Sequence, residues 1–376
     1  MHDTKPHMRI MLVGGGTGGH FYPLIALAES LNTSGVPLKL YYAGPDMYDE
    51  PALVKHNIQF VRVFSGKQRR YASILNVFDL FKVALGAFTA LIKLFVIYPD
   101  IIVSKGGYTS VPVILAGAFL RIPILIHESD SVMGKANKIA MRFAKDIVIN
   151  YPELEVRETK AHVHRLGIPI RSALIAPPTE NMHEAFGIDS TRPVILVLGG
   201  SSGAERINEL ILDSLDELLT RFTVIHQTGK AHFELCTLSA DNLIPDAERR
   251  QYYIPKPFFS DSALNDMYSL ANLVISRAGS TSIYEIALHG KPSIIIPIPE
   301  GISHDQRSNA YAYARVGATS VIEESNITDN LLLAEIERIM QNTVIYSAMS
   351  TSAKTFGKTD TAEQMSALII QRAQEH

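Results

Sequence analysis

Short apolar runs rich in β-branched residues alternate with longer helical patterns along the chain. Most of these runs are continuously apolar, which is typical of strands buried on both faces of a sheet. Strands that alternate with helices predict right-handed βαβ units and a parallel, doubly wound sheet. In the first half, the predicted strands are Ile10–Val13, Lys39–Tyr42, Phe60–Val63, Ile101–Val103, Ile124–His127, Asp146–Ile149 and His164–Leu166.

A proline-rich stretch between residues 167 and 179 interrupts this pattern. A second series of predicted strands follows: Val194–Leu198, Thr223–His226, Tyr252–Ile254, Leu273–Ser276, Ser293–Pro297 and Thr319–Ile322. The predicted fold class is therefore α/β, with Rossmann-like domains at residues 1–170 and 171–354. Ligands of such sheets bind beyond the carboxyl ends of the strands, so we expect the two domains to face a cleft.

The composition indicates a folded protein without disulfide bonds. Of the 376 residues, 47% are hydrophobic and 19% are charged, which excludes intrinsic disorder. The single cysteine, Cys236, excludes a disulfide framework and a cysteine-cluster metal site. The net charge of −3 gives no reason to expect a nucleic-acid partner. Residues 1–170 nevertheless carry 19 Lys and Arg against 13 Asp and Glu, which indicates an anionic ligand or surface there, or a chance segregation of surface charge.

Three glycine-rich segments, at residues 14–20, 106–110 and 199–204, each follow a predicted strand. Glycine lets the backbone approach a phosphate closely, and a following helix directs free N–H groups and its positive dipole end at the anion. A single loop of this kind is also what a tight strand-to-helix turn requires. Three of them at strand ends favour the binding of two diphosphates.

The first loop also matches the G-x-G-x-x-G pattern of dinucleotide-binding proteins through Gly14, Gly16 and Gly19. That pattern expects an acidic residue about 20 positions further on, at the end of the second strand. Here the second strand runs into Ala43, Gly44 and Pro45, and Asp46 is the first acidic residue. A nicotinamide-dependent dehydrogenase is therefore disfavoured but not excluded.

Hydroxyl residues and a carboxylate follow the predicted strand that ends at Ser276. Residues 279–285 read Gly-Ser-Thr-Ser-Ile-Tyr-Glu. Hydroxyls and free N–H groups at a helix start bind phosphate, and Glu285 one turn later could accept both hydroxyls of a ribose. The alternative is an ordinary capping box of Ser282 with Glu285. Amide side chains at residues 304–309 could serve sugar hydroxyls.

The ordered set of motifs resembles the MurG family, the bacterial peptidoglycan N-acetylglucosaminyltransferases of the GT-B superfamily. The motifs are residues 14–20, 106–108, 127–128, 199–201 and 277–285. The resemblance implies a GT-B fold whose C-terminal helix, at about 355–376, packs back on the first domain. It also implies transfer of GlcNAc, with inversion, from UDP-GlcNAc to the 4-hydroxyl of lipid I, the undecaprenyl-pyrophosphoryl-MurNAc-pentapeptide, to make lipid II.

The resemblance also implies which residues bind each substrate. The donor UDP-GlcNAc is expected at Thr17, Gly18, Gly19, Asp130, Arg171, Ser201, Phe259, Ser280, Thr281, Ser282, Ile283, Tyr284, Glu285 and Gln306. Ser201 would contact the α-phosphate, and Phe259 or a neighbour the uracil through its backbone. The acceptor pyrophosphate is expected at Gly15, Gly16, Gly106, Gly107 and Tyr108.

Two departures from the family pattern affect sugar contacts. The family usually reads His-Glu-Gln-Asn where this chain has His-Glu-Ser-Asp at residues 127–130, so an amide donor becomes a carboxylate at Asp130. The family's Gly-Asn-Pro-x-Arg is here Gly-Ile-Pro-Ile-Arg at residues 167–171, and Ile168 replaces a second amide.

Glycosyl transfer needs a base for the acceptor hydroxyl and stabilisation of the departing UDP. No Asp-x-Asp metal motif follows a predicted strand, so we expect a metal-independent enzyme without a cofactor, whose helix N-termini stabilise the leaving group. His20 lies at a helix start, where the positive dipole disfavours the imidazolium and keeps a neutral base available. Glu128 is the other candidate base, and His20 could instead order the loop or bind phosphate.

The most apolar part of the chain, residues 74–97, is too often interrupted by charges to span a membrane. Its polar residues form one narrow stripe on a helix, and residues 67–70 before it read Lys-Gln-Arg-Arg. This combination favours peripheral docking on an anionic membrane surface, and a fully buried crossover helix is the alternative. The resemblance places the protein at the cytoplasmic face of the cell membrane, with cell-wall synthesis or division proteins as further partners.

Two other functions fit the same two-domain scaffold. A UDP-sugar epimerase or hydrolase would consume UDP-GlcNAc without a lipid acceptor. A non-catalytic nucleotide-sugar-binding module would bind UDP-GlcNAc and release no UDP.

Overall fold

The computed structural model describes residues 7–65, 75–157, 159–199, 204–299 and 304–376. The chain divides into two compact units. The first comprises Met1–Ser172 and Thr359–His376, and the second comprises Ala173–Lys358. The sequence analysis placed the corresponding boundaries after residue 170 and near residue 355.

The first unit is built around a parallel seven-stranded sheet with the order β3-β2-β1-β4-β5-β6-β7. Its strands are β1 (Met8–Gly14), β2 (Leu38–Gly44), β3 (Ile58–Arg62), β4 (Ile101–Gly106), β5 (Ile124–Glu128), β6 (Asp146–Ile149) and β7 (His162–Arg165). Its connecting helices are α1 (Gly18–Thr33), α2 (Glu50–Lys55), α3 (Leu75–Ile97), α4 (Val111–Phe119) and α5 (Lys135–Ala140).

The second unit repeats the architecture with a parallel six-stranded sheet of order β10-β9-β8-β11-β12-β13. Its strands are β8 (Val194–Leu198), β9 (Thr223–Gln227), β10 (Tyr253–Lys256), β11 (Leu273–Ser276), β12 (Ser293–Ile295) and β13 (Thr319–Val321). After a 3-10 turn (Ser172–Leu174), its helices are α6 (Met182–Ala185), α7 (Glu205–Asp213), α8 (Leu215–Arg221), α9 (Phe233–Leu243), α10 (Ala247–Arg250), α11 (Asp261–Leu270), α12 (Ser280–Leu288), α13 (His304–Arg315), α14 (Asp329–Met340) and α15 (Thr343–Phe356).

Every run that the sequence analysis predicted as a strand overlaps a strand of one of these two sheets. The prediction of two parallel α/β sheets is therefore confirmed. Ile10, Leu12, Val103 and Leu125 are fully buried because helices cover both faces of the sheet. One difference affects the site: β4 continues three residues past the predicted end at Val103, through Ser104 and Lys105 to Gly106, and all of these residues are buried.

The strand orders define where each sheet can bind a ligand. In a doubly wound sheet, ligands bind outside the carboxyl ends of the two strands at which the order reverses. Those strands are β1 and β4 in the first unit, and β8 and β11 in the second. All three glycine-rich segments and the segment that begins at Gly279 follow these four strands, so each sheet has two loops at its switch point.

Helix α3 leaves apolar side chains uncovered. Leu85, Phe88, Ile92, Phe95 and Val96 are 49–74% exposed, so the alternative of a fully buried crossover helix is wrong. The basic cluster at residues 67–70 lies outside the described residues. None of the helices searched in the described part of the chain is long and apolar enough to cross a membrane.

The last helix, α16 (Thr361–Gln374), belongs to the first unit and packs in its core. Met365 and Ile369 are fully buried in the same cluster as Leu24 and Leu27 of α1. Burial of an apolar side chain of this size contributes about 2 kcal/mol.

A buried ion pair joins α16 to β6. Two nitrogens of the Arg372 guanidinium donate to the Asp146 carboxylate. Nε lies 2.7 Å from Oδ2, and Nη2 lies 3.0 Å from Oδ1. The Asp146 side chain is only 1% exposed, and it also lies 2.8 Å from His164 Nε2. Desolvation alone would raise the pKa of Asp146, but the hydrogen bonds from Arg372 and His164 outweigh it and hold the pKa below its usual value.

We expect Arg372→Met to lower the free energy of unfolding at pH 7 by about 3 kcal/mol, because it leaves a buried carboxylate without its cation. The folded-state pKa of Asp146 is depressed, so its stabilising contribution is present above the unfolded pKa and lost as the pH falls. The difference in the free energy of unfolding between the variant and the parent protein should therefore become smaller below about pH 4. Urea unfolding followed by circular dichroism measures both effects.

Arg157→Met is the matched control. Arg157 pairs with Glu155 at side chains that are 79% and 67% exposed. Removing such a pair changes stability by less than about 1 kcal/mol. Equal urea midpoints for the two variants would contradict the role given to the Arg372–Asp146 pair.

Candidate active site

The first glycine loop joins β1 to α1 and places His20 in the first turn of the helix. The helix begins at Gly18, so the expectation that His20 lies at a helix start is confirmed, and Pro23 lies inside the helix. Thr17 is the N-cap residue, with an extended backbone at φ −150°. Its hydroxyl oxygen lies 2.8 Å from His20 Nδ1. This contact orients the imidazole at the positive end of the helix.

His20 is neutral at pH 7. Burial, the largest cause, and then the positive charge of Lys105 lower its pKa to about 4, while the negative charge of Asp130 acts in the opposite direction. The helix N-terminus also disfavours the imidazolium. A neutral imidazole can accept a proton, and it can also donate a hydrogen bond to phosphate.

The second glycine loop, between β4 and α4, lies directly against the first. Gly106 and Gly107 have φ values of +87° and +82°, a left-handed conformation that favours glycine. A Cβ atom on Gly107 would lie 3.0 Å from the carbonyl oxygen of Gly15 and 3.7 Å from the His20 ring. The backbone of one loop therefore approaches the other so closely that a Cβ atom at residue 107 would be crowded.

Tyr108 extends this contact. A Cβ atom on Gly16, whose φ is +89°, would lie 3.0 Å from a ring carbon of Tyr108. The structure thus brings together all five residues expected to bind the acceptor pyrophosphate, Gly15, Gly16, Gly106, Gly107 and Tyr108, at the switch point of the first sheet.

Glu128 ends β5 and organises the turn that follows it. Its carboxylate accepts hydrogen bonds from the backbone of Gly134 at 2.8 Å, from Asn137 Nδ2 at 3.0 Å and from the backbone of Asp130 at 3.1 Å. Burial and then the charge of Asp130 raise the pKa of Glu128, and Lys105 and the hydrogen bonds oppose this shift. Because these three donors bind one buried carboxylate, Glu128 holds the turn after β5 in place.

Asp130 and Arg171, both expected at the donor sugar, lie in the first unit and are each partly buried. The Arg171 guanidinium lies 4.3 Å from the centre of the Tyr22 ring, so a cation–π contact holds it against α1. Ile168, which replaces a family amide, is fully buried and packs as an ordinary core residue.

Lys105 is a site residue that the sequence analysis missed, as is Asn137, which donates to Glu128. The Lys105 side chain is 2% exposed, and its ammonium lies 2.6 Å from Ser129 Oγ. The available signal was a lysine at the end of a continuously apolar strand, directly before Gly106, but the predicted strand ended at Val103.

In the second unit, α12 begins at Ser280 after β11, and its N-cap residue is Gly279, which has no side chain to cap the helix. Ser282 lies inside the helix and not at its N-cap, so the capping-box interpretation of Ser282 with Glu285 is wrong. Ser280, Thr281 and Ser282 form the first turn, and Thr281 Oγ1 is buried without a hydrogen-bond partner among the described residues. Backbone N–H groups and a hydroxyl at a helix start suit a phosphate.

Glu285 lies one turn further along α12 and is almost completely buried. Its Oε2 accepts a hydrogen bond from the Tyr268 hydroxyl at 3.1 Å. The side chains of Ile283 and Tyr284 are fully buried, and the Tyr284 hydroxyl is engaged by the backbone of Lys358. Ile283 and Tyr284 can therefore contribute only backbone groups to a ligand.

Two further residues expected at the donor are engaged inside the second unit. Gln306 Oε1 accepts hydrogen bonds from the backbone of Ala278 at 3.2 Å and of Ile298 at 3.3 Å, so it joins the loops after β11 and β12. The Phe259 N–H donates to Gln227 Oε1 at 3.1 Å. Ser201 lies outside the described residues.

No group of three or more His, Cys, Asp or Glu side chains in the described ranges is arranged to hold a metal ion.

Comparison with known proteins gives the class. Residues 10–149 match the glycosyltransferase family 28 N-terminal domain, and residues 194–365 match the family 28 C-terminal domain. Both matched segments contain a switch point described above. The chain belongs to glycosyltransferase family 28.

The particular relatives are UDP-N-acetylglucosamine–N-acetylmuramyl-(pentapeptide) pyrophosphoryl-undecaprenol N-acetylglucosamine transferases. The relative from Bacillus thuringiensis is 34% identical over 340 residues, which are 90% of this chain and 93% of the relative. The relative from Lachnospira eligens is 36% identical over 338 residues, covering 88% and 90%. These enzymes are known as MurG.

Solved structures are also similar to this chain. The crystal structure of MurG from Acinetobacter baumannii matches with a TM-score of 0.73 at 26% identity, over 97% of this chain and 100% of that one. A putative UDP-N-acetylglucosamine 2-epimerase from Listeria monocytogenes matches with a TM-score of 0.72 at 12% identity, over 99% and 98% of the two chains. At that identity the second match concerns the fold alone.

Proposed function

We propose that this glycosyltransferase transfers GlcNAc from UDP-GlcNAc to the 4-hydroxyl of lipid I, with inversion at the anomeric carbon, and so makes lipid II. The observation that carries the proposal is the contact between the loops after β1 and β4, which brings Gly107 against Gly15 and the His20 ring at one switch point. The relatives named for this reaction cover most of the chain.

The second unit binds the UDP part of the donor in this proposal. The N-terminus of α12 and the Thr281 hydroxyl would bind a phosphate, and Ser201 the α-phosphate. Glu285 would accept a hydrogen bond from the ribose, and its bond from Tyr268 holds the carboxylate in place. Because the Phe259 N–H is engaged by Gln227, the uracil would be bound through a neighbouring backbone group.

The first unit binds the acceptor pyrophosphate between its two glycine loops and provides the remaining donor contacts through Thr17, Gly18, Gly19, Asp130 and Arg171. The left-handed φ values of Gly106 and Gly107 form a turn after β4. The Gly106 N–H donates to Ser104 Oγ at 3.1 Å, so the N–H of Gly107 would bind the anion. The basic balance of this half of the sequence agrees with an anionic ligand.

Inversion follows from a single displacement, in which the acceptor oxygen attacks the anomeric carbon from the face opposite UDP. Of the two candidate bases, His20 fits the geometry better than Glu128. With its Nδ1–H donated to Thr17 Oγ1, the lone pair remains on Nε2 to accept the hydroxyl proton. Helix N-termini stabilise the negative charge on the departing UDP, so the reaction proceeds without a metal cofactor.

The test of the proposed function is UDP release from UDP-GlcNAc, measured with and without a lipid I analogue. We expect UDP release that depends on the acceptor, together with a disaccharide product of β configuration, because the donor sugar is α-linked and the displacement inverts it. Consumption of UDP-GlcNAc without acceptor would indicate an epimerase or hydrolase. Binding of UDP-GlcNAc with no turnover under either condition would indicate a binding module.

We expect His20→Ala to lower kcat by about 10² to 10⁴-fold, because it removes the proton acceptor. Glu128→Gln should cause a smaller loss through its effect on the turn after β5. His56→Ala is the matched control, since His56 lies 3.5 Å from Glu29, outside the glycine loops. Near-full turnover by the His20→Ala variant would exclude His20 as the catalytic base.

The exposed face of α3 supports peripheral docking on the cytoplasmic face of the cell membrane. Phe88 and Phe95 are 60% and 70% exposed and lie seven residues apart, on the same side of the helix. Apolar side chains on a helix beside basic residues bind the interface of anionic lipid bilayers. A lipid-linked acceptor requires the enzyme to reach that interface.

We expect the protein to co-sediment with anionic phospholipid vesicles at low salt. The double variant Phe88→Ser with Phe95→Ser should lower the partition coefficient by at least about tenfold, because two aromatic rings no longer enter the bilayer. Leu235→Ser with Leu238→Ser on α9, which are 64% and 62% exposed, is the matched control and should keep binding. Equal sedimentation of the two variants would contradict docking through α3.

A further inference from the structure

Arg277 joins the loops that follow β11, β12 and β13 at the carboxyl edge of the second sheet. It comes directly after β11, and its Nη1 donates to the carbonyl of Ile296, directly after β12, at 3.2 Å. Its Nη2 lies 2.5 Å from Oε2 of Glu324, in the loop after β13. The side chains of Arg277 and Glu324 are 12% and 20% exposed, so the ion pair is largely removed from solvent. One guanidinium therefore holds three loops that are far apart in the chain.

Residues 277–279, which we call the connector, lead from β11 to the N-terminus of α12. The Ala278 N–H donates to Gln306 Oε1 at 3.2 Å, and the Ala278 carbonyl accepts from Asn309 Nδ2 at 3.5 Å. Both of these amide side chains belong to α13. Gly279, the N-cap residue, has no side chain through which it could be held. The position of the connector is therefore set by the contacts of Arg277 and Ala278.

The connector in turn sets the position of the first turn of α12. The N–H groups of this turn and the Thr281 hydroxyl are the groups proposed to bind a donor phosphate. Hydrogen bonds weaken steeply as their angle departs from linear, so a small displacement of the turn would weaken several of them together. A mostly buried guanidinium that loses its carboxylate is destabilised, so Arg277 depends on Glu324 to stay where it is.

The neighbouring carboxylate, Glu323, has other partners. Its Oε1 lies 2.8 Å from Arg307 Nε and accepts from the Tyr311 hydroxyl at 2.7 Å. Glu324 is thus the carboxylate of this loop that pairs with Arg277.

We propose that Glu324 is a positioning residue for the diphosphate of the donor, and that it acts through Arg277 and the connector on the N-terminus of α12. The inference rests on the proposed function for the identity of the ligand. Glu324 does not bind the anion itself, because a carboxylate repels a phosphate. Removing its charge would strengthen anion binding if the charge acted only through space, whereas release of the connector weakens anion binding. The sign of the change in affinity therefore separates positioning from long-range electrostatics.

The test compares the dissociation constants of UDP and uridine, measured by isothermal titration calorimetry, for the parent protein and the Glu324→Gln variant. We expect the Kd of UDP to rise about tenfold, because hydrogen bonds from the first turn of α12 to a charged phosphate become misaligned. The Kd of uridine should stay unchanged, since uridine has no diphosphate. In the UDP-release assay, KM for UDP-GlcNAc should rise with little change in KM for the lipid I analogue.

Glu335→Gln is the matched control. Glu335 pairs with Arg338 on α14 at 2.6 Å, and its side chain is 15% exposed, but it belongs to none of the three loops. This variant should leave both dissociation constants unchanged. Arg277→Met should weaken UDP binding as Glu324→Gln does, and the double variant should show no further loss, because Glu324 acts through Arg277.

A second measurement needs no ligand. Hydrogen exchange of the Ala278 amide, which donates to Gln306, should be faster in Glu324→Gln than in the parent protein and unchanged in Glu335→Gln. If Glu324→Gln does not fold, Arg277→Lys is the second variant. It keeps the positive charge, but a single ammonium does not offer the fork of nitrogens that contacts both Ile296 and Glu324, so the same results are expected.

Failure of this inference can be separated from failure of the proposed function. Absence of acceptor-dependent UDP release in a parent protein that binds UDP would refute the transferase, while the comparison of UDP with uridine would still test Glu324. A parent protein that binds no UDP would refute both. Unchanged or tighter UDP binding by the folded Glu324→Gln variant, or an equal loss of affinity for UDP and uridine, overturns the positioning role.

Discussion

The contact between two glycine loops at the switch point of the first sheet is the constraint on which the site depends. The Gly15 carbonyl and the Gly107 Cα come so close that a Cβ atom at residue 107 would lie 3.0 Å from that oxygen. Only glycine permits this approach together with a φ of +82°. Because β1 and β4 are neighbours in the sheet, the loops that follow them meet, and His20 enters the site from the first turn of α1.

Desolvation then decides the charge state of this site. The switch point lies over a sheet whose strands are buried on both faces, so ionised groups near it lose solvation and depend on one another. Desolvation lowers the pKa of His20 to about 4 and also lowers the pKa of Lys105, which Glu128 and Asp130 oppose. Three hydrogen-bond donors hold the Glu128 carboxyl group. The second unit presents helix N–H groups, a threonine hydroxyl and a buried carboxyl group held by tyrosine instead.

The sequence pattern was sufficient for much of the fold. Continuous apolar runs identified most of the strands, because a strand covered on both faces needs no polar position. The edge strand β7, His162–Arg165, is largely polar and exposed. The first two glycine loops and the segment after Ser276 were located correctly for the same reason, since each follows such a run. The pattern was wrong at the end of β4, where Ser104, Lys105 and Gly106 look like loop residues but have strand geometry.

The sequence by itself therefore determined the two parallel sheets, the family and the segments that carry chemistry, since these depend on local apolar periodicity and on residue types. Only the tertiary structure decided the order of the strands, and with it which loops meet. It also decided that Lys105 faces Ser129 and that Glu285 is held by Tyr268, because both contacts join residues far apart in the chain. Proximity of that kind follows from strand order and packing, which no local pattern specifies.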